Sequence, residues 1–201
     1  MINKTLTLVG LTLSLTANAA IVDMGNITRD TATGLDWLDL TETNGRSFND
    51  ISSKLGASQE FDGWRYATAD EVQTLWNNLG MPSGTYDSVQ QTDIQQYQDF
   101  ITASNLLGST YNQYNSVVFD YGMSGMSENS NGSGQRYLFG MTHYIGNTNT
   151  STINRAVDES RVAGWSGSYL VQPAAVPVPA AAWLFGSALV GLAGIGRKRP
   201  E

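Results

Sequence analysis

The residues that could carry out chemistry are few in this 201-residue chain, and none of them completes a catalytic pattern. His143 is the only histidine, and cysteine is absent. The missing cysteines exclude thiol catalysis, disulfides and cysteine-bound zinc. His143 could act as a general base, but the sequence has no Gly-x-Ser-x-Gly segment to supply a nucleophile. A structural role for His143 is therefore favoured over a catalytic one.

Close pairs of acidic residues could in principle hydrolyse glycosidic bonds. The pairs are Asp36/Asp39, Asp70/Glu71 and Asp158/Glu159. Glycoside hydrolysis needs two carboxyl groups across a cleft, one of them in an apolar pocket, and sequence spacing alone does not supply that cleft. Asp70 and Glu71 are better explained as charges in the first turn of a helix. We therefore expect no catalytic residues, and an extracytoplasmic hydrolase acting on envelope polysaccharide is the alternative.

Calcium is the one ion that the composition favours, because its oxygen ligands can be scattered along a loop. The segment from Gly122 to Gln135 is rich in Gly, Ser, Asn and Met and is predicted to be a loop. It offers Glu128, Asn129 and Asn131 as oxygen ligands, without the spacing of an EF-hand. We expect no cofactor, with calcium as the alternative.

Four tyrosines could stack on sugar rings or could serve as strand and core residues, and the second interpretation is favoured. They are Tyr111, Tyr114, Tyr121 and Tyr144.

The charge balance argues against nucleic acid as a partner. The chain has a formal net charge of -7, but four of its eleven basic residues and only one of its eighteen acidic residues lie in the two terminal segments described below. The middle therefore carries 17 acidic and 7 basic residues. A surface this acidic repels phosphate backbones, so no nucleic-acid binding is expected.

Helices that would position these residues are predicted in the first half of the chain. Apolar residues from Phe48 to Leu55 recur at helical spacing before Gly56. Thr68 and Glu71 have the spacing of a capping box, which predicts a second helix that ends at Gly80. Its apolar stripe is Val72, Leu75, Trp76 and Leu79. A third helix is predicted from Thr92 to just before Gly108, with an apolar face of Ile94, Tyr97 and Ile101.

Strands are predicted mainly in the second half. They span 21–27, 35–40, 116–121, 137–144 and 163–171. Because helices and strands are segregated along the chain, the expected fold class is α+β rather than a parallel βαβ arrangement. Residues 80–91 are predicted to be a further loop.

The N-terminus has the pattern of a secretory signal peptide. Lys4 is the basic residue, Leu6 to Leu15 form a short apolar segment, and Ala17 and Ala19 supply the small residues that precede a cleavage site. We expect residues 1–19 to be removed by cleavage after Ala19. The alternatives are an N-terminal strand or an uncleaved anchor, but the apolar stretch is too short to span a bilayer.

The C-terminus combines three features in a fixed order. A proline pair in residues 173–179 precedes an uncharged apolar run at 180–196, which would extend about 26 Å as a helix, the low end for crossing a membrane. The proline motif consists of Val176, Pro177, Val178 and Pro179. Residues 197–201 carry a basic cluster that would stay on the cytoplasmic side, namely Arg197, Lys198 and Arg199. A plain single-pass anchor would need no more than this.

This order of proline motif, Ala-Ala-Ala-Trp-Leu-Phe-Gly-Ser run and terminal basic cluster resembles the PEP-CTERM sorting signal, in its Val-Pro-x-Pro variant. The resemblance implies that an exosortase, a membrane-embedded thiol transpeptidase, cuts the tail near the proline motif. It also implies passage through the export machinery and the inner membrane. The final location would be the cell surface or the exopolysaccharide matrix of a Gram-negative bacterium, where such proteins are associated with biofilm.

The middle of the chain, residues 20–172, resembles the Lcl-type domains. The resemblance rests on Gly34-Leu35-x-Trp37 and on the run from Gly63 to Leu75, which begins Gly-Trp-Arg-Tyr-Ala-Thr. It implies a C-type-lectin-like fold in which a closing strand ending at Val171 pairs with the N-terminal strand. Trp37 and Trp64 would anchor the core, and Arg65 would bond the opposing chain. The expected function is that of a non-catalytic interaction domain, with exopolysaccharide or a surface protein as its ligand.

Overall fold

A computed structural model describes residues 20–81, 94–111, 121–143 and 150–175, and these residues have the expected α+β composition. The strands are β1 (Ile21–Asp23), β2 (Ile27–Asp30), β3 (Leu35–Leu38), β4 (Arg65–Tyr66), β5 (Tyr121–Ser130), β6 (Gln135–His143), β7 (Thr150–Asp158), β8 (Gly167–Ser168) and β9 (Leu170–Pro173). The helices are α1 (Phe48–Ser52), α2 (Ala69–Asn78), α3 (Ile94–Leu107) and a short 3₁₀ helix at Leu40–Thr43.

The first sheet joins the two ends of the described domain. Its strand order is β1-β2-β3-β9-β4, and every neighbouring pair is antiparallel. The C-terminal strand β9 pairs Val171 with Trp37 of β3 on one side and with Arg65 of β4 on the other. The predicted closure of the domain by its last strand is therefore confirmed in part, because the partner is β3 and not β1. The single strand predicted at 21–27 is two strands, β1 and β2, which form a hairpin.

The second sheet corrects the prediction of a loop from Gly122 to Gln135. Its strand order is β7-β6-β5-β8, and β5 continues to Ser130 before a tight turn leads into β6. Strands β5, β6 and β7 pair antiparallel, while the two residues of β8 pair with β5 in parallel. This segment lies in the interior of the sheet, and Met123, Ser124 and Met126 are buried there.

The three predicted α-helices form, although α1 ends at Ser52 and not at Gly56. Ser47 caps α1 by accepting a hydrogen bond from the Asp50 amide at 3.1 Å. The capping box of α2 is complete, because Thr68 and Glu71 each accept a hydrogen bond from the other's backbone amide. On α3 the fully buried residues are Phe100, Ala103 and Leu107, which the prediction did not name. Ile101 only packs against the edge of that core.

The core consists of two apolar clusters. The first lies between the helices and both sheets and includes Trp37, Trp76, Phe100 and Tyr169. The second lies under α1 and includes Phe48, Ile51, Tyr66, Leu138 and Leu170. Of the two predicted tryptophan anchors, Trp37 is fully buried in the first cluster, whereas Trp64 is half-buried at the edge of the second.

The 3₁₀ helix and β8 approach each other closely enough to require glycine. Thr43 accepts a hydrogen bond from the amide of Ser168 through its hydroxyl, at 2.7 Å. A Cβ atom at Gly167 would overlap the carbonyl oxygen of Leu40 and lie 3.0 Å from the Thr43 hydroxyl. This contact joins the two sheets, because β8 belongs to the second sheet and the 3₁₀ helix follows β3 of the first.

No helix in the described part of the chain has the length and apolar character needed to cross a membrane. The predicted membrane helix at 180–196 lies outside the described residues. Residues 1–19 and residues 82–91 of the predicted loop also lie outside them.

Candidate functional site

An open groove of about 480 Å³ lies beside α1 and is the strongest candidate for a binding site in the described residues. We call it the α1 groove. It is lined by Phe48, Asn49, Ser52, Leu55, Arg65, Tyr66, Glu128, Arg136 and Glu159. These residues come from α1, from β4 and from the three long strands of the second sheet or their ends. The groove is thus built where the two sheets meet under a helix.

Helix α1 supplies the polar wall of the α1 groove. Phe48 and Ile51 are buried in the core, whereas Asn49 and Ser52 are exposed. Residues three apart on a helix point to the same side, so the Asn49 amide and the Ser52 hydroxyl face the groove together. The Asn49 backbone amide also donates to the carbonyl oxygen of Glu159 at 3.1 Å, which ties α1 to the end of β7.

The floor of the α1 groove is a stack of two aromatic rings under a guanidinium group. Phe48 and Tyr66 are stacked with 4.1 Å between ring centroids, and the Arg136 guanidinium lies 4.1 Å from the Phe48 centroid. The Tyr66 hydroxyl donates to the Phe48 carbonyl oxygen at 3.3 Å and lies 3.1 Å from the Ser168 hydroxyl. Burial raises the pKa of the Tyr66 phenol above its usual range, so this ring is a neutral structural support.

Both arginines of the α1 groove are already neutralised by ion pairs. Arg136 Nε lies 2.8 Å from a carboxylate oxygen of Glu159, and Arg136 also donates to the Glu128 carbonyl oxygen. Arg65 forms two bonds with Glu71, of 2.6 and 2.9 Å. Arg65 was predicted to bond the opposing chain, and its backbone does pair with Val171 of β9, whereas its guanidinium contacts Glu71 and the neighbouring Tyr66 carbonyl oxygen.

Glu128 is the remaining charge of the groove. The Glu128 backbone amide donates a hydrogen bond of 2.8 Å to the Ala67 carbonyl oxygen, which holds this part of β5 next to the segment after β4. The exposed Glu128 carboxylate accepts no hydrogen bond from the described residues. Arg65 contributes a weaker electrostatic interaction with Glu128. A ligand in the α1 groove therefore meets one carboxylate acceptor beside the Asn49 and Ser52 polar groups.

Members of the three acidic pairs have other partners in the structure. The Glu71 carboxylate accepts hydrogen bonds from the Arg65 guanidinium and from the Thr68 backbone amide. These contacts, of which the one with Arg65 has the larger effect, lower the pKa of Glu71 to about 2. Asp36 accepts two bonds from Arg29, of 2.6 and 2.9 Å. The Asp158 carboxylate accepts hydrogen bonds from the hydroxyl and the backbone amide of Ser160 in the following turn. These bonds lower the pKa of Asp158.

Asp39 differs from the other acidic residues. Its side chain is buried and its Oδ1 atom has no hydrogen-bond partner in the described residues. Burial, followed by the charges of Asp23 and Glu42, raises its pKa to about 7. A neutral carboxyl group of this kind suits a general acid, but Asp39 does not line the α1 groove.

The proposed calcium ligands have separate partners. Glu128 lines the α1 groove. The side-chain oxygen of Asn129 accepts a hydrogen bond of 2.6 Å from the Ala69 backbone amide and so helps to cap α2. Asn131 bonds Gln135 and Ser133 within the turn between β5 and β6. In the ranges that the structure covers, no group of three or more acidic or histidine side chains has the geometry to hold a metal ion.

The remaining predicted residues fall in strands or outside the described ranges. His143 ends β6, where its backbone pairs with Tyr121 of β5. Tyr111 forms an isolated bridge with Gly122. The residues outside the described ranges are Tyr114, Tyr144, the cleavage residues Ala17 and Ala19, the motif Val176 to Pro179 and the cluster Arg197 to Arg199.

Sequence reasoning did not find the α1 groove, because it requires the hairpin of β5 and β6. That hairpin brings Glu128 of β5 and Arg136 of β6 to the same groove. The signal was present in Asn131-Gly132, a dipeptide that favours tight hairpin turns. The Gly, Ser and Asn residues around this dipeptide are typical of loops, so the strands on either side of it were not predicted.

Comparisons with known proteins return no relative. A scan against protein-family models gave no match, and neither a search of curated proteins nor a search of solved structures gave one.

Proposed function

We propose that this chain is an exported surface or matrix protein whose α+β domain binds polysaccharide without cleaving it. The ligand occupies the α1 groove, and the C-terminal tail sorts the protein through cleavage by an exosortase. The finer fold we propose is C-type-lectin-like. The observation that carries the binding proposal is a groove that joins exposed polar groups to a floor of packed aromatic rings.

The groove chemistry suits a neutral sugar chain. Sugar hydroxyl groups both donate and accept hydrogen bonds, so they can use the Glu128 carboxylate, the Asn49 amide and the Ser52 hydroxyl together. The partly buried Leu55 offers apolar surface to the C–H face of a sugar, while the buried Phe48 and Tyr66 rings support the groove from beneath. Because both arginines are paired with glutamates, the groove has no surplus of positive charge that would favour an anionic polymer.

The electrostatics of the α1 groove favour binding over hydrolysis. A hydrolase needs one carboxyl group held protonated in an apolar pocket and a second across the cleft. In this groove Glu159 is paired with Arg136, and Glu128 is exposed to solvent. Asp39 has the raised pKa of an acid but lies elsewhere. Hydrolysis of an envelope polysaccharide is therefore the second candidate.

Calorimetric titration of the exported protein with the host's purified exopolysaccharide tests the binding proposal. Replacing Asn49 by Ala, or Glu128 by Ala, removes hydrogen bonds from exposed positions and leaves the core unchanged. Each change is expected to weaken binding about tenfold, since one lost hydrogen bond to a ligand is worth roughly 1 kcal/mol or more.

The matched control is Asn77→Ala, an equally exposed amide on α2 outside the α1 groove, which should bind like the wild type. Binding that is equal in all four proteins, or absent in the wild type, contradicts the proposal. Release of new reducing ends from the polysaccharide supports the hydrolase instead.

A further inference from the structure

A small pocket at the start of β1 is lined by both Ala20, the first described residue, and Asp30, a buried acidic residue. The pocket has a volume of about 70 Å³ and is lined by Ala20, Ile21, Asp30, Ala32 and Asn78. Ala20 is exposed, whereas Asp30 is completely buried. The pairing of Ile21 with Asp30 in the β1–β2 hairpin fixes this arrangement.

The backbone of Ala20 is held in place on both sides. Its nitrogen donates to the Thr31 hydroxyl at 2.7 Å, and its carbonyl oxygen accepts hydrogen bonds from the Thr31 amide at 3.0 Å and the Thr31 hydroxyl at 2.9 Å. Three hydrogen bonds to one residue are more than the end of an edge strand needs for pairing alone. The position of the Ala20 nitrogen is therefore well defined.

Asp30 is a buried acid without a cationic partner. Its Oδ1 accepts hydrogen bonds from the amides of Ala32 and Thr33, and its Oδ2 accepts one from the Asn78 side chain at 2.8 Å. No lysine or arginine of the described ranges forms an ion pair with it. A buried carboxylate of this kind is stabilised by any positive charge that comes near it.

We infer that this pocket is a docking site for the α-ammonium group of a mature chain that begins at Ala20. Cleavage after Ala19 converts the Ala20 amide nitrogen into an ammonium group with three donors. One of these donors retains the hydrogen bond to the Thr31 hydroxyl. The positive charge of the ammonium group then lies at the pocket that Asp30 also lines. The inference rests on the export step of the proposed function and not on polysaccharide binding. Removal of the signal would thus complete the charge balance of the folded domain.

Few other ionisable groups face this pocket. Asp23 lies at the far end of β1, and Arg29 of β2 is paired with Asp36. On α3, the Asp99 carboxylate lies beside Gly80, just beyond the end of α2. Asp30 is the only acid in the pocket lining, so it should dominate the titration of the docked amine.

The test measures how fast the α-amine of the exported, folded protein is acylated as a function of pH, by mass spectrometry of the N-terminal peptide. An amine beside a carboxylate has a raised pKa and less of its reactive neutral form. At pH 7.5 the wild type is expected to react about tenfold more slowly than Asp30→Asn, which corresponds to a difference of about one in pKa. At pH 10 the two rates should converge, which separates an electrostatic effect from simple crowding.

The control is Asp23→Asn, on the same strand but outside the pocket, which should react like the wild type. The wild type unfolded in urea should react as fast as folded Asp30→Asn, and this comparison needs no variant that folds. Equal rates for folded and unfolded wild type contradict the docking site. A chain that begins at Ala20 but shows equal rates overturns the docking alone. A first residue other than Ala20 also overturns the docking, and a mass that retains residues 1–19 overturns the export step as well.

Discussion

At the scale of single residues, Asp39 is the acidic residue of the described ranges whose pKa is raised by burial to near neutral pH. It lies between β3 and the 3₁₀ helix, is 8% exposed, and has one oxygen atom without a hydrogen bond in the described residues. An ionised carboxylate in that position loses hydration and faces Asp23 and Glu42, which are also acidic. The folded domain therefore holds Asp39 in its protonated form up to a pH near 7.

The pH dependence of stability follows from this. In the unfolded chain Asp39 ionises near pH 4, and in the folded domain near pH 7, so the unfolded state binds fewer protons between these values. The contribution of Asp39 to stability is thus largest near pH 4 and is lost as the pH rises from 4 to 7. Urea unfolding of the wild type should show a loss of about 2 to 4 kcal/mol from this residue across that range.

The variant Asp39→Asn cannot ionise, so its stability should change much less over the same pH range. Asp70→Asn, which removes an exposed carboxylate from α2, should follow the wild-type slope. The assignment to Asp39 is incorrect if Asp39→Asn retains the wild-type slope.

At the scale of secondary-structure elements, the contact between β8 and the 3₁₀ helix is the least tolerant of added volume. A methyl group at Gly167 would overlap the carbonyl oxygen of Leu40, and a backbone atom cannot move aside as a flexible side chain can. Gly167→Ala should lower the free energy of unfolding by about 2 to 3 kcal/mol and the melting temperature by roughly 5 to 10 °C. Calorimetry of the variant and the wild type measures this.

Gly164→Ala provides the control, three residues earlier in the same segment. Nothing lies within 4 Å of a Cβ atom at Gly164, and its backbone conformation is open to other residues. We expect a change in melting temperature of no more than about 2 °C. Equal losses in both variants would mean that the segment, and not the close approach, sets the sensitivity.

The elements that the sequence predicts well are those with local causes. The α2 helix follows from Thr68, Glu71 and an apolar stripe, all within twelve residues, and the structure confirms each of them. Strand β5 has no such local signal, because it is rich in Gly, Ser and Asn and its partners β6 and β8 come later in the chain. The α1 groove depends on that pairing. The second sheet and the candidate site could not be predicted from the sequence, because both depend on pairing between strands that are distant in the chain.

At the scale of the whole molecule, the proposed sorting makes a prediction about mass and location. The wild type isolated from its host is expected to lack residues 1–19 and the apolar run at 180–196. The double variant Pro177→Ala/Pro179→Ala should keep its tail and stay in the inner membrane, because the sorting enzyme no longer recognises the motif. Intact mass spectrometry of fractionated cells measures both.

A matched control is Pro82→Ala, a proline outside the tail, which should be processed like the wild type. If the wild type and the double variant both retain Arg197 to Arg199 and remain membrane-bound, the tail is a simple anchor. The proposal of a matrix protein would then lose its main support.

The position of β9 determines when the domain can fold. This strand, formed by the last stretch of the described domain, lies between β3 and β4, which were synthesised more than a hundred residues earlier. A chain threaded through an export channel from its N-terminus cannot complete the first sheet until residue 173 has emerged. If the chain is exported as we propose, this topology would delay folding until the C-terminal strand is across the membrane, and folding there would oppose backward movement of the chain.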